Sequence, residues 1–244
     1  MLLPHKGKSM SDNSTKRSPN QLLATLTASD LALLQPHLTT VSLKLLQDLE
    51  TPDRPIENIY FMFSGIASVV ATVSDDSRVE IGLIGREGMT GAAVLLGDGQ
   101  SPHSTYMQAA GSGDRIGVRA LRNAVGESDT LHRVFLRYMQ SFMVQTAHTA
   151  IANARASLPE RLARWVLMAQ DRMDGPKLTL THEFLRLMLG VRRAGVTDAL
   201  HDLGKRGLIK TGRGEIIVLD RAGLKRIAGK FYGLPEREHQ RLIG

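Results

Sequence analysis

The stretch 179–220, TLTHEFLRLMLGVRRAGVTDALHDLGKRGLIKTGRGEIIVLD, most constrains what this chain can fold into. It reads as a short helix, a glycine turn at Gly190, a second helix opening on Arg192-Arg193, and a β-ribbon tipped by Gly212 and Gly214. Phe184, Leu185 and Met188 fall on the inward side of the first helix, and Val196, Leu200 and Leu203 form the buried stripe of the second. Gly190 stands where the backbone must turn sharply at little steric cost. That order describes a winged helix-turn-helix, whose second helix enters the major groove of duplex DNA.

The same helix leaves Arg193, Ala194, Thr197, Asp198 and His201 on its outer side. An arginine near the start of such a helix can grip guanine O6 and N7 with two hydrogen bonds. Arg192, at the helix entrance, suits a phosphate better than it suits capping, because Ser or Asp caps better. Thr181 can cap the first helix or touch a phosphate, and Lys210 and Arg213 give the wing a basic edge for the backbone. Asp198 would be repelled by phosphates, so it is expected to accept from a cytosine amine or to orient an arginine. Gly195 inside the helix costs about 1 kcal/mol relative to alanine, offset either by close approach to DNA or by tight packing.

Charge is placed accordingly. Residues 155–244 hold 18 Lys/Arg against 10 Asp/Glu, whereas residues 1–154 hold 13 against 14. The positive surplus therefore sits with the proposed reading element, as a polyanion-binding domain requires. The chain has no cysteine, which excludes disulfides, thiol redox sensing and a cysteine-ligated iron–sulfur cluster. Its start lacks the apolar run of a secretory signal and reads as a disordered arm over 1–18, so a cytoplasmic location is expected.

Residues 21–49 show a short helical pattern in Leu22, Leu23, Leu26, Leu31, Leu33 and Leu34. The period then changes to two. Ile59, Phe61 and Phe63 alternate, 69–73 is rich in valine, and Val79, Ile81 and Leu83 alternate again. Turns are expected at Ser64-Gly65 and Ser74-Asp75-Asp76, and several such strands suggest an antiparallel roll or barrel. Gly82, Gly85, Gly88 and Gly91 recur every third residue but match neither phosphate-binding glycine motif, so tight turns are the expected use.

Helical character returns near Arg119. Residues 131–156 can form one long helix in which Leu131, Phe135, Tyr138 and Phe142 make an a/d stripe, with Leu136, Met139, Met143 and Ala150 on another face. No charged residue occurs from Tyr138 to Ala154, so most of the helix should be covered. Its polar residues and length argue against a membrane span. One face on the roll and another on a second copy predict a two-fold homodimer, with the Leu131–Phe142 stripe as the expected interface. Ser157, Pro159 and Glu160 then restart a helix, which Asp174-Gly175-Pro176 ends.

In this order the parts resemble the Crp/Fnr family of bacterial transcription regulators over roughly 19–229. The likeness is strongest in THEFLRLMLGVRRAGVTDALHDLGKRGLI and good in IENIYFMFSG and VEIGLIGREGMTG. The resemblance implies an α+β fold in three parts. These are an N-terminal antiparallel β-roll of the cyclic-nucleotide-binding type (19–126), a dimerisation helix (127–156) and a C-terminal winged helix-turn-helix (157–244). It implies a dimer on a palindromic operator that contacts RNA polymerase. The family's base-reading arginine falls on Arg193, and its phosphate contacts fall on Arg192 and Thr181. Two other base-readers, a glutamate and an arginine, fall on Ala194 and Asp198, so the usual family operator is not expected.

The implied nucleotide site departs further. The family's Gly-Glu pair for the ribose falls on Gly91-Ala92, and its arginine for the cyclic phosphate falls on Pro102-His103. Ala92 has no acceptor, and no arginine lies between Arg86 and Arg115 to match a phosphate. His103 and Ser104 remain in a degenerate pocket, and control by cyclic AMP is not expected. No cofactor, metal or membrane partner is expected, and no effector is identified. An enzyme finds no support, since His182-Glu183 is followed by Phe-Leu-Arg rather than completing a zinc motif. The alternative to a DNA-binding regulator is a small-molecule sensor whose winged domain mediates protein contacts.

Overall fold

A computed structural model describes residues 18–74, 77–180 and 182–244, with only the backbone of His182 and Glu183. The expected arm (Ser18 apart), Asp75-Asp76 of the expected turn, and Thr181 lie outside the described residues.

Two short helices, α1 (Gln21–Ala24) and α2 (Ala28–Leu34), precede strands β1 (Thr39–Leu43) and β2 (Asp48–Glu50). The helical pattern expected over 21–49 therefore stops at Leu34, and the β-branched run Thr39-Thr40-Val41 pairs with a later strand. The roll continues through β3 (Asn58–Ser74), β4 (Ser77–Ile84), the helical turn α3 (Ala92–Leu95) and β5 (Ser104–Gly117). The strands run β1-β5-β3-β4, with β2 also on β5, and every pairing is antiparallel. Ser64-Gly65 is a correction to the expected turn. It lies inside one 17-residue strand as a bulge, where the register against β5 slips and Gly65 takes a φ of +82°.

Of the third-residue glycines, Gly85 and Gly88 bound the expected tight turn, the Gly88 N–H donating to the Gly85 carbonyl at 3.1 Å, whereas Gly82 lies within β4 and Gly91 precedes α3. Side chains at Gly82, Gly85 and Gly88 would overlap Phe142, Arg172 and Tyr138 respectively. They let the chain pass close under two helices; of the four, only Gly91 has a positive φ.

Helix α4 (Val118–Glu127) leads into α5 (Asp129–Arg155), whose 27 residues span about 40 Å at 1.5 Å each. Ser128 caps α5 by accepting from the Leu131 N–H at 3.2 Å. The stripe expected to meet a second copy lies within the chain instead. Leu131, Phe135 and Tyr138 are buried and Phe142 half-buried, with Phe135 6.0 Å from Phe61 between ring centroids. Gln145 grips β4 as a strand would: its Oε1 accepts from the Leu83 N–H (2.7 Å) and its Nε2 donates to the Leu83 carbonyl (3.1 Å). The other face of α5 carries Leu136 (40% exposed), Met143 (57%) and Ile151 (48%), spaced along the solvent side.

Helix α6 (Leu158–Arg172) opens on Ser157, whose N–H and hydroxyl both donate to the Glu160 carboxylate. Then come β6 (Lys177–Thr179), α7 (His182–Leu189), α8 (Arg193–Lys205), β7 (Ile209–Gly212) and β8 (Glu215–Val218). β6 adds a third strand to the expected ribbon, in the order β6-β8-β7. Helix α9 (Arg221–Ala228) packs on α6, and α10 (Leu234–Ile243) returns along α5. There His239 Nδ1 pairs with the Ser141 hydroxyl (3.0 Å), and Ile243 joins the roll's core beside Leu22 and Leu131. Ile66, Val70, Leu83 and Tyr106 of the roll share a second core with Trp165, Leu185, Met188 and the rest of the winged domain.

Candidate nucleic-acid interface and sensor site

Helix α7 ends in a two-bond cap. The Gly190 N–H donates to the Leu187 carbonyl (3.2 Å) and the Val191 N–H to the Arg186 carbonyl (3.1 Å). Gly190 takes a φ of +58°, the left-handed conformation this cap requires. Arg161 adds a hydrogen bond from its guanidinium to the Leu189 carbonyl. The turn thus fixed leaves Arg192 extended (φ −70°, ψ 148°) as the residue before α8, with no side-chain cap bond.

From there the helical period sorts the residues. Val196, Leu200 and Leu203 are buried, whereas Arg192, Arg193, Ala194, Thr197, Asp198 and His201 are exposed. The Thr197 hydroxyl donates back to the Arg193 carbonyl at 3.2 Å, which holds its oxygen along the helix. A Cβ at Gly195 would stand 3.1 Å from Leu158 Cδ2, so packing accounts for this glycine. Lys210 and Arg213 are exposed on the wing, which turns at Gly214 (φ +71°). The structure therefore gathers Arg192, Arg193, Thr197 and Asp198 on one open helix face and puts Lys210 on the adjoining ribbon. Thr181 lies outside the described residues.

The roll holds a cavity of about 80 Å³, against the roughly 300–1,000 Å³ of typical small-molecule sites. Gly91, Ala92 and His103 line it, as do Tyr138 and Phe142 from α5. Ser104 does not line it; its hydroxyl is buried without a partner among the described residues. Glu50 also faces this cavity, and the sequence reading missed it. One carboxylate oxygen accepts from the Gly91 N–H at 2.5 Å and the other from the Thr105 hydroxyl at 3.0 Å. Burial pushes the Glu50 carboxyl up from its ordinary range, against the two donors. A three-residue strand offers no periodic signal that could have singled it out.

A second cluster joins the roll to the winged domain. Glu80 Oε1 accepts from the Trp165 indole N–H at 2.7 Å, and Glu80 Oε2 pairs with the Ser68 hydroxyl, which also lies 2.8 Å from Gln108 Oε1. Ser68 has one hydrogen to place between two oxygens. A protonated Glu80 can supply the second, donating to Ser68 while Ser68 donates to Gln108. Burial in fact pushes the Glu80 carboxyl up to about 7, opposed by the two donors and by Arg172 and Arg164. The sequence carried little signal here: Glu80 stands at a polar position of the Val79-Ile81-Leu83 alternation, and its burial is set by the single tryptophan and Ser68, which come from distant parts of the chain.

Residues 160–227 match the Crp-like helix-turn-helix domain. The transcriptional regulator LdrP of Thermus thermophilus is 27% identical over 181 residues, covering 70% of this chain and 87% of that protein. FixK2 of Bradyrhizobium japonicum superposes with a TM-score of 0.69 at 18% identity, covering 79% of this chain and 98% of its own. A CRP-family transcriptional regulator of Thermus thermophilus gives 0.65 at 19% identity, covering 78% and 97%. The two structures show a common fold, and the matched domain is the one that bears the exposed reading helix. Residues 160–227 are thus a Crp-like helix-turn-helix domain, in a chain similar to a known transcriptional regulator and sharing the fold of solved members of the Crp/Fnr type.

Proposed function

We propose that this regulator is a homodimer that reads a palindromic operator and is not controlled by cyclic AMP. The observation that carries the reading is the face of α8, where Arg193, Thr197 and Asp198 stand exposed on a helix whose other side is locked into the core. Arg193 is assigned to a base edge, Arg192 and Lys210 to phosphates, and Asp198 to a cytosine amine or to holding an arginine. The supporting parts are the roll (19–126), the long helix (127–156) and the winged domain (157–244), acting in the cytoplasm and on RNA polymerase.

Dimerisation is assigned to the apolar side of α5, through Leu136, Met143 and Ile151, because the Leu131 stripe is already buried within the chain. Two-fold pairing through this helix sets two copies of α8 for successive major grooves. Independence from cyclic AMP rests on Glu50. A carboxylate bonded to Gly91 and Thr105 takes up donors that a ligand's anion would need, and it would repel that anion.

The test is duplex binding by the full chain, followed by anisotropy against duplexes that it selects from a random pool. Binding that weakens linearly in log–log salt plots and prefers two inverted half-sites is expected. A salt slope near zero would refute DNA reading. Calorimetric binding of cyclic AMP at micromolar affinity would refute the assignment of Glu50.

A further inference from the structure

Beside the helix-turn-helix turn lies a cleft of about 280 Å³ with one wall from each domain. Ser77, Arg78 and Val79 of β4 form the sensor wall; Gly190, Val191 and Arg192 form the reader wall, with Arg186 beside them. None of the described residues lining the cleft is acidic. Neither the Arg78 nor the Arg192 guanidinium has a hydrogen bond or ion pair among the described residues. In the same chain other arginines are paired, such as Arg172 with Glu87 at 2.7 Å and Arg221 with Asp171 at 2.5 Å. The two domains are in contact here, since a Cβ on Gly190 would stand 3.1 Å from Val79 Cγ2.

The Arg78 and Arg192 guanidiniums line one cleft with no carboxylate among its described residues, so they repel one another, and an anion between them reverses the sign of that interaction. Each guanidinium presents a planar donor fork that matches phosphate oxygens. The position selects the kind of phosphate. The cleft borders the entrance of α8, where the sugar–phosphate backbone must run once that helix lies in the major groove. We propose that Arg78, on a strand of the sensor roll, contacts a backbone phosphate of the operator together with Arg192. The DNA-binding surface then extends past the winged domain onto β4, the strand that also carries Glu80 and is gripped by Gln145 at Leu83. The proposal rests on the DNA-reading function above.

The experiment compares the wild-type full chain with Arg78→Gln and Arg78→Lys, using a selected duplex and an unrelated one over a salt series. Arg78→Gln should lower the log–log salt slope by about 1 per half-site and weaken both duplexes by the same factor. Arg78→Lys, which keeps the charge, should restore the slope. Unchanged Trp165 emission and melting midpoint separate this effect from misfolding. A wild-type slope well above zero that Arg78→Gln leaves unaltered overturns the contact while DNA reading stands. The contact is equally overturned if Arg78→Gln removes only thermal stabilisation by pyrophosphate, which would make the cleft a small-anion site. A wild-type slope near zero removes the function and this contact together.

Discussion

Arg193 is the first residue of α8, exposed and with its helix fixed from below, so its guanidinium can be held against one base pair. Arg193→Ala should relax selection at a single position in each half-site, by about 1–3 kcal/mol, while Lys210→Ala weakens all duplexes alike. Competition binding with single-base variants of the selected site checks this, and equal losses at every position would count against Arg193 as a base reader. Glu80 tests a different kind of residue. Its carboxyl is pushed up to about 7 in the folded chain from 4.5 when free, so folding favours the protonated acid. That contribution is fully present below about pH 4.5 and is lost as pH rises through 7, amounting to about 3 kcal/mol. Glu80→Gln keeps an acceptor for Trp165 and a donor for Ser68 without a charge. It should match the wild type near pH 4.5 and melt higher at pH 8; parallel melting curves across that range would exclude the buried acid as their cause. The exposed face of α8 was legible because helical periodicity sorts inside from outside. Glu50 and Glu80 were not, because their partners, Gly91 with Thr105 and Ser68 with Trp165, come from distant parts of the chain.

At the scale of elements, α5 shows how a correct helix can carry a wrongly assigned face. Its extent was readable from the uncharged run, but two apolar stripes compete for the roll. The stripe with the larger rings, Phe135 and Tyr138, lies inward, where Phe61 and the Met89 carbonyl receive them (Tyr138 donates at 2.9 Å). Volume decides this: aromatic rings bury more area than Leu136 or Met143, and glycines at 82 and 88 leave room for them. The two stripes should therefore respond differently to mutation. Phe135→Ala should cost about 3–5 kcal/mol of stability. Met143→Glu combined with Leu136→Glu should leave the melting point of the protomer nearly unchanged and convert dimers to monomers in sedimentation. If the glutamate pair sediments as the wild type does, the solvent face of α5 is not the interface. The β3 bulge illustrates a parallel difficulty, since Ser-Gly marks a turn and a bulge equally well in sequence and only the pairing with β5 separates them.

For the whole molecule, the arrangement of reader on sensor was the least legible feature, because nothing local specifies which exposed faces of two domains will meet. Trp165 shows the outcome: it belongs to the winged domain, yet its indole N–H is bonded to Glu80 of the roll. Around that bond Ile66, Val70, Leu83 and Tyr106 are continuous with the winged core, and on the far side α10 runs back to bury Ile243 in the roll. Two domains that merely shared a linker would unfold separately, the smaller one first. Domains that share a core lose both sides of it together. Denaturant unfolding followed by Trp165 emission and by far-ultraviolet circular dichroism should therefore give coincident transitions. Leu83→Ala, made in the roll but within the shared core, should destabilise by about 2–5 kcal/mol and shift both signals equally. A Trp165 transition that precedes the loss of strand signal would show the reader leaving the roll before either unfolds. The same bond would then mark the hinge about which the winged domains turn toward the operator.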